Sequence, residues 1–211
     1  MKTCYIACAL DFTPNISLCE GDFLIGADRG AQILENNGIT PNLAIGDFDS
    51  CDKEIKCKNI IRFPVKKDYT DSELAIMHAI KLGYKKIQVF GAIGGALDHT
   101  LANVAILAKY AEQGIDLSFI DGENVLFAIS NGSVAFSSEA EGRISLFSFG
   151  NEAMGVFEKG LLYELDNATL ENTTPLGVSN EFVGKASQII VGQGTLIIYT
   201  SRKNYENYLT R

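Results

Sequence analysis

Asp47 and Asp49 stand one residue apart in "AIGDFDS", where an apolar run climbs to a glycine and stops. Carboxylates this close repel, and apolar neighbours raise the cost of ionising both. In an extended segment residues two apart share a side, so both acids would face one site. A divalent cation resolves the repulsion. Magnesium in particular takes oxygen ligands, commonly one or two carboxylates together with substrate phosphates. An Asx-type turn capping the next segment accounts for the same residues equally well, since Asp and Ser favour that role.

Two other stretches bear on the choice. In "KKDYTDSE", Asp68 and Asp71 open a helical pattern, where the helix dipole favours negative charge on its own account. Lys66 and Lys67 just before them are placed to reach a phosphate. Asp28, in "GADRGA", adds a carboxylate at another strand end, one more than capping requires. In "GAIGGALDHTLAN" a glycine-rich turn containing Gly94 and Gly95 lets backbone N–H groups approach phosphates at a helix start. It follows neither the GxxxxGK[ST] nor the GxGxxG pattern. Asp98 and His99 fall in the first turn of that helix, where capping explains them; a general base at His99 is the alternative.

The elements that must position these groups alternate. "CYIACAL", "DFLIGAD", "NLAIGDF", "NIIRFPV", "KKIQVFGAI" and "IDLSFIDG" read as strands. "RGAQILENNG", "TDSELAIMHAIKLG" and "LDHTLANVAILAKYAEQG" read as helices. In the second of these Thr70 caps the start, Glu73 completes a capping box and Gly83 stops it. Strand and helix in alternation predict a parallel sheet covered on both faces, with ligands beyond the carboxyl ends of its strands. From residue 123 onward short alternating runs separated by Asn-Gly, Gly-Asn and Gly-Gln-Gly turns predict an antiparallel β-sandwich or barrel. The expected division is an α/β domain over 1–122 and a β domain over 123–211.

Composition narrows the function. The 211 residues are 46% hydrophobic and 21% charged, ordinary for a soluble globular protein. A net charge of −8 excludes a surface that tracks nucleic acid, so a polyanionic ligand must be met locally, by a metal or a few basic groups. No window approaches the roughly 20 apolar residues of a membrane span, and "MKTCYIACALDF" is too short for a signal peptide. Five cysteines without paired spacing and only two histidines argue against disulfides and structural zinc. The expectation is a cytoplasmic, magnesium-dependent enzyme acting on a nucleotide or phosphate ester, with no membrane partner. Phosphoryl transfer needs chiefly positioning and charge neutralisation, which metals and backbone amides supply.

The same residues, in order, resemble the thiamine pyrophosphokinase family. The resemblance runs through "ADRGA", "PNLAIGDFDS", "KDYTDSELAI", "GAIGGALDHTLAN", "GLLYEL" and "SNEF", spanning nearly the whole chain. It implies an α/β nucleotide domain followed by a β-sandwich, and transfer of a diphosphoryl group from ATP to the hydroxyl of thiamine. It further implies a homodimer, with Asp47, Asp49 and Asp71 around Mg2+ and the phosphates and Asp28 near the reacting hydroxyl. Lys67 and Thr70 would lie along the substrate cleft, and Ser179, Asn180 and Tyr163 would border the thiamine ring. One departure stands out: the family's arginine after the paired glycines is Ala96 here. Lys66, Lys67 or Arg29 then supplies the missing cation, or ATP binds less tightly, or the donor differs. Two other readings remain open: a catalytically impaired thiamine- or nucleotide-binding module, and a magnesium-dependent phosphohydrolase on a similar sheet.

Overall fold

The computed structural model describes residues 2–66 and 68–211. Ten strands belong to one mixed sheet and five to an antiparallel sheet. By its contacts the chain forms two compact units, Met1–Asn103 with Phe119–Asp121, and Val104–Ser118 with Gly122–Arg211.

In the first unit β1 (Thr3–Ala7), β2 (Phe23–Ala27), β3 (Leu43–Gly46), β4 (Ile60–Arg62) and β5 (Lys86–Phe90) run parallel. All but the edge strand β4 are buried almost throughout, as their largely apolar runs require, with Thr3 of β1 and Gln88 of β5 buried among them. Register brings the carboxyl ends level: Ala7 pairs with Gly26 and Phe90, Ala27 with Ile45, and Gly46 with Arg62. The order is β5-β1-β2-β3-β4. The chain therefore steps outward from β1 to β4 and returns to the far side of β1, making a switch point between β1 and β5. Crevices for ligands form at such points, outside the carboxyl ends.

Two helices pack on these strands, α1 (Arg29–Asn36) and α2 (Asp71–Lys81). A third, α3 (Leu97–Ala111), begins in the first unit and ends in the second. As the sequence predicts, the Thr70 side chain caps α2 by accepting from the Glu73 amide at 3.3 Å, and Gly83 (φ 91°) follows its end. Close packing of α1 on β1 depends on Gly30, where an added Cβ would lie 2.0 Å from the Ala7 carbonyl oxygen.

Strand β6 (Asp116–Asp121) follows α3, with Phe119–Asp121 in the first unit. The second unit carries β7 (Asn124–Ser130), β8 (Ser133–Phe136), β9 (Arg143–Ser148), β10 (Ala153–Lys159) and β11 (Leu165–Leu170). They are followed by β12 (Asn180–Glu181), β13 (Ser187–Ile190), β14 (Thr195–Ser201), helix α4 (Arg202–Asn207) and β15 (Leu209–Thr210). Alternation holds where expected: Val134 and Phe136 of β8 are buried while Ser133 is exposed. β14 pairs with β7 along seven residues, and the five-stranded sheet runs β11-β10-β13-β8-β15. The two-residue strands β12 and β15 carry no alternation of their own; tertiary pairing defines them. Helix α4 is capped locally, Ser201 Oγ accepting from the Asn204 amide at 3.2 Å.

A methyl or larger group at position 30 must push α1 off β1. Gly30→Val should lower stability by about 1–3 kcal/mol, read as a fall in the urea midpoint at unchanged slope.

Candidate active site

β2 and β3 end side by side because the Asp28 amide donates to the Ile45 carbonyl at 2.7 Å. Gly46 (φ 153°) permits the approach: a Cβ there would sit 3.0 Å from the Asp28 Cα. Two residues on, Phe48 takes φ 61° and turns its ring into a pocket of Ala31, Ala44, Ile55 and Cys57, with the Arg62 guanidinium 5.0 Å above it. The segment is therefore not extended. A turn anchored by Phe48, rather than strand alternation, sets Asp47 and Asp49 together. Carboxylate oxygens of Asp28, Asp47 and Asp49 lie within 4.8 Å of one another.

The local bonds separate structural from available oxygens. Asp47 Oδ1 accepts from the Asp49 amide at 3.3 Å, which is the Asx-type turn foreseen from the sequence. Asp28 precedes α1 without capping it and holds an unusual backbone (φ 50°, ψ −126°). Ser50 Oγ donates to its Oδ2, whereas its Oδ1 is sealed from solvent and accepts no hydrogen bond. A sealed carboxylate oxygen without a donor is costly. Three carboxylates offering only hard oxygen donors fit Mg2+.

Beside this cluster, at the switch point, lies a cavity of about 390 Å³. Cys8 and Leu10 beyond β1, Gly91 beyond β5, and Asp28, Thr70 and Asp71 contribute to its wall. Asp71 Oδ1 is sealed from solvent there. Thr70 Oγ1 and Ser72 Oγ lie 2.9 Å apart, Ser72 Oγ donates to Asn103 Oδ1 at 3.4 Å, and Asn103 Nδ2 donates to the Ala92 carbonyl at 2.6 Å. This chain ties the head of α2 to the glycine-rich turn. Ser72 and Asn103 were not singled out from the sequence, where they read as ordinary helix residues. Burial, with added repulsion from Asp71 and Asp28, pushes the Cys8 thiol up to about 12, so it stands neutral.

Gly95 and His99 also line the cavity; Gly94 and Asp98 are not in its wall. Asp98 Oδ1 accepts from the His99 amide at 2.9 Å, and the Gly94 amide donates to Thr100 Oγ1 at 3.4 Å. Lys66 and Asp68 are exposed ahead of α2, and Lys67 lies outside the described residues. Ala96 lines the cavity. Arg29 donates to the Ala9 carbonyl at 3.0 Å and to Asp11 at 2.9 Å, so its guanidinium is engaged by the segment after β1.

In the second unit Tyr163 is exposed, whereas Asn180 is buried with its side-chain amide fully used. Its Oδ1 accepts from the Tyr163 and Glu181 amides at 3.0 and 2.9 Å. Its Nδ2 donates to the Tyr163 carbonyl at 2.6 Å and to Glu158 Oε2 at 2.7 Å. Ser179 adopts φ 64° and its amide donates to Ser145 Oγ at 3.0 Å. Glu158 is 1% exposed. It escaped the sequence reading, although an acid two residues from Val156, on the buried face of β10, was the available signal.

Clustered acids beside a glycine-rich turn, at the carboxyl edge of a parallel sheet, define the class of enzymes that handle phosphate esters. Comparison with known proteins gives the family. The model for the thiamin pyrophosphokinase catalytic domain matches residues 17–119, and that for its vitamin B1 binding domain matches residues 134–196. The thiamine pyrophosphokinase of Bacillus subtilis is 29% identical over 184 residues, covering 84% of this chain and 86% of that protein. The crystal structure of thiamine pyrophosphokinase from B. subtilis superposes with a TM-score of 0.84 at 28% identity, over 95% of this chain and 99% of that one. That of a probable thiamine pyrophosphokinase from Staphylococcus saprophyticus is 30% identical, with a TM-score of 0.66 over 95% and 98%. The chain belongs to the thiamine pyrophosphokinase family.

Burial of Glu158 couples its proton to folding. Desolvation pushes the carboxyl up to about 7, and the hydrogen bond from Asn180 offsets only part of this. Above the ordinary carboxylate range the unfolded chain has released a proton that the folded one still holds, so stability falls as pH rises toward 7. The loss is on the order of 3 kcal/mol. Glu158→Gln should flatten this part of the pH–stability curve and exceed the parent at pH 8, measured by urea denaturation across pH.

Proposed function

We propose that the chain transfers the diphosphoryl group of ATP to the hydroxyl of thiamine, giving thiamine diphosphate and AMP. The observation that carries this is the ordered match of a catalytic-domain and a vitamin B1 binding-domain model of one enzyme family. The acid cluster and the cavity supply the groups such a transfer needs. On this reading residues 1–122 form an α/β nucleotide domain and 123–211 a β-sandwich that binds thiamine.

Asp47 and Asp49 hold Mg2+, with Asp71 facing the same phosphates. When bound, the ion offsets negative charge on the group in transfer. Asp28, held through Oδ2 by Ser50, or Asp71 orients the thiamine hydroxyl and takes its proton. The hydroxyl oxygen then bonds to the β-phosphorus as the bond to the α-phosphate oxygen breaks and AMP leaves. The backbone amide of Gly95, with Lys66 and Lys67, meets phosphate oxygens; Gly94, Asp68, Thr70, Asp98 and His99 complete that side. Tyr163, Ser179 and Asn180 border the thiamine ring. The enzyme works as a cytoplasmic homodimer, a reading supported by the exposed Leu97 and Leu101, one turn apart on α3.

Purified protein given thiamine, ATP and magnesium should release AMP in proportion to thiamine diphosphate formed. ATP consumption without thiamine would indicate a hydrolase, and binding without AMP an impaired module. Asp49→Asn should cut AMP formation by about 10²-fold or more while the melting temperature without magnesium stays at or above the parent's, and should weaken magnesium uptake in calorimetry. Unchanged turnover removes the metal role from Asp49. Sedimentation over a concentration series should give twice the chain mass; a single-chain mass throughout contradicts the homodimer.

A further inference from the structure

A carboxyl buried to 1% exposure is expensive unless something in the fold or the function requires it. Among the described residues Glu158 makes no ion pair; its polar partner is Asn180. That amide has two acceptor sites and two donors, and all four are committed. Two bonds grip Tyr163 through both its backbone N–H and its carbonyl, and a third holds the Glu181 amide. The Leu162 amide donates to the Glu181 carbonyl at 2.9 Å, and Leu161 bridges to Phe182. The segment Leu161–Tyr163 is thus laid against β12, with Leu162 and Tyr163 left half or more exposed.

We infer that Glu158 is a positioning residue of the thiamine subsite: by fixing the Asn180 amide it sets the placement of Tyr163 and of the Ser179–Asn180 corner. The inference rests on the proposed function, which places thiamine against these residues. Glu158 lies inside the stretch matched by the vitamin B1 binding-domain model. It touches no substrate. What it supplies is an acceptor. With that acceptor gone, one N–H of Asn180 is left buried and unpaired, and the amide must shift toward another acceptor, pulling on the bonds by which it holds Tyr163. A surface pinned by both ends of one backbone unit then loses its register, whereas the cavity of the first unit has no part in the arrangement.

The test is steady-state kinetics on the full chain with thiamine and ATP varied separately. Glu158→Leu removes the acceptor and should raise the KM for thiamine about tenfold, with the KM for ATP and kcat held within about twofold. Glu158→Gln keeps an acceptor oxygen at the same reach and should restore the parental KM. Should the leucine variant fail to fold, Glu158→Asp retains the carboxyl but withdraws it by one methylene, and a several-fold rise in thiamine KM is expected there. An unaltered thiamine KM in the variant that folds overturns the inference. So does an equal loss across thiamine KM, ATP KM and kcat, which marks a general structural role. A glutamine variant as impaired as leucine also overturns it, since charge would then matter rather than the hydrogen bond. If the parent chain forms no AMP from thiamine and ATP, it is the functional reading that fails, which the parent control alone reveals.

Discussion

Mutual repulsion among Asp28, Asp47 and Asp49 is the constraint around which the first unit is arranged. Unit charges about 4 Å apart repel by about 1 kcal/mol in water and about 4 kcal/mol at the effective dielectric of a protein surface. The chain does not relax this. It holds the cluster by placing Asp28 and Phe48 in backbone conformations that cost about 1–3 kcal/mol each for non-glycine residues. It compensates with the Phe48 ring buried under Arg62 and the Asp28 amide bonded across to β3. Asp49 is exposed and Asp47 half-buried, so a turn of different shape would let them part. Strain spent on keeping like charges together is sensible only where a positive group completes the set.

The second unit shows the same logic without the cluster. One buried acid, Glu158, is stabilised by a single amide, and that amide organises the exposed segment beside it. In both units a carboxyl that the core would reject on its own accepts from a side chain of a neighbouring segment, Asp28 from Ser50 and Glu158 from Asn180. Strands supply rigidity; the awkward polar group supplies definition to the loop.

Much of this was legible in the sequence. Parallel strands announce themselves as short apolar runs, because burial on both faces leaves no room for alternation. Thr70 and Gly83 bounded α2 because cap chemistry is local. The acids at strand ends followed from the same reading, since an apolar run that terminates in Asp marks its own carboxyl edge. What stayed hidden depends on partners distant in the chain. The turn at Phe48 exists because Ala31 and Ile55 make a pocket for its ring. Asn103 matters because the Ala92 carbonyl and Ser72 meet it. Spacing alone sets Glu158 on the face of Val156, but that this face is core follows only from the pairing of β10 with β11 and β13.

Ala96 sharpens the electrostatic problem rather than dissolving it. Among the described residues no lysine or arginine lines the cavity, while Asp28 and Asp71 do. Arg29, the nearest basic residue in sequence to the cluster, is bonded to Asp11 and the Ala9 carbonyl. A triphosphate entering such a wall meets like charge in a chain that is already at −8. Backbone amides carry only partial charge, and exposed lysines act through screening solvent, so neither balances several phosphate charges alone. Under the proposed function the remaining source is a cation bound by the carboxylates themselves, which would turn the acids from an obstacle into the attachment point for the phosphates. Nucleotide and divalent ion would then bind as a thermodynamically linked pair, each raising the affinity of the other by the same factor. A chain with arginine at position 96 has a fixed charge to lend and needs that linkage less.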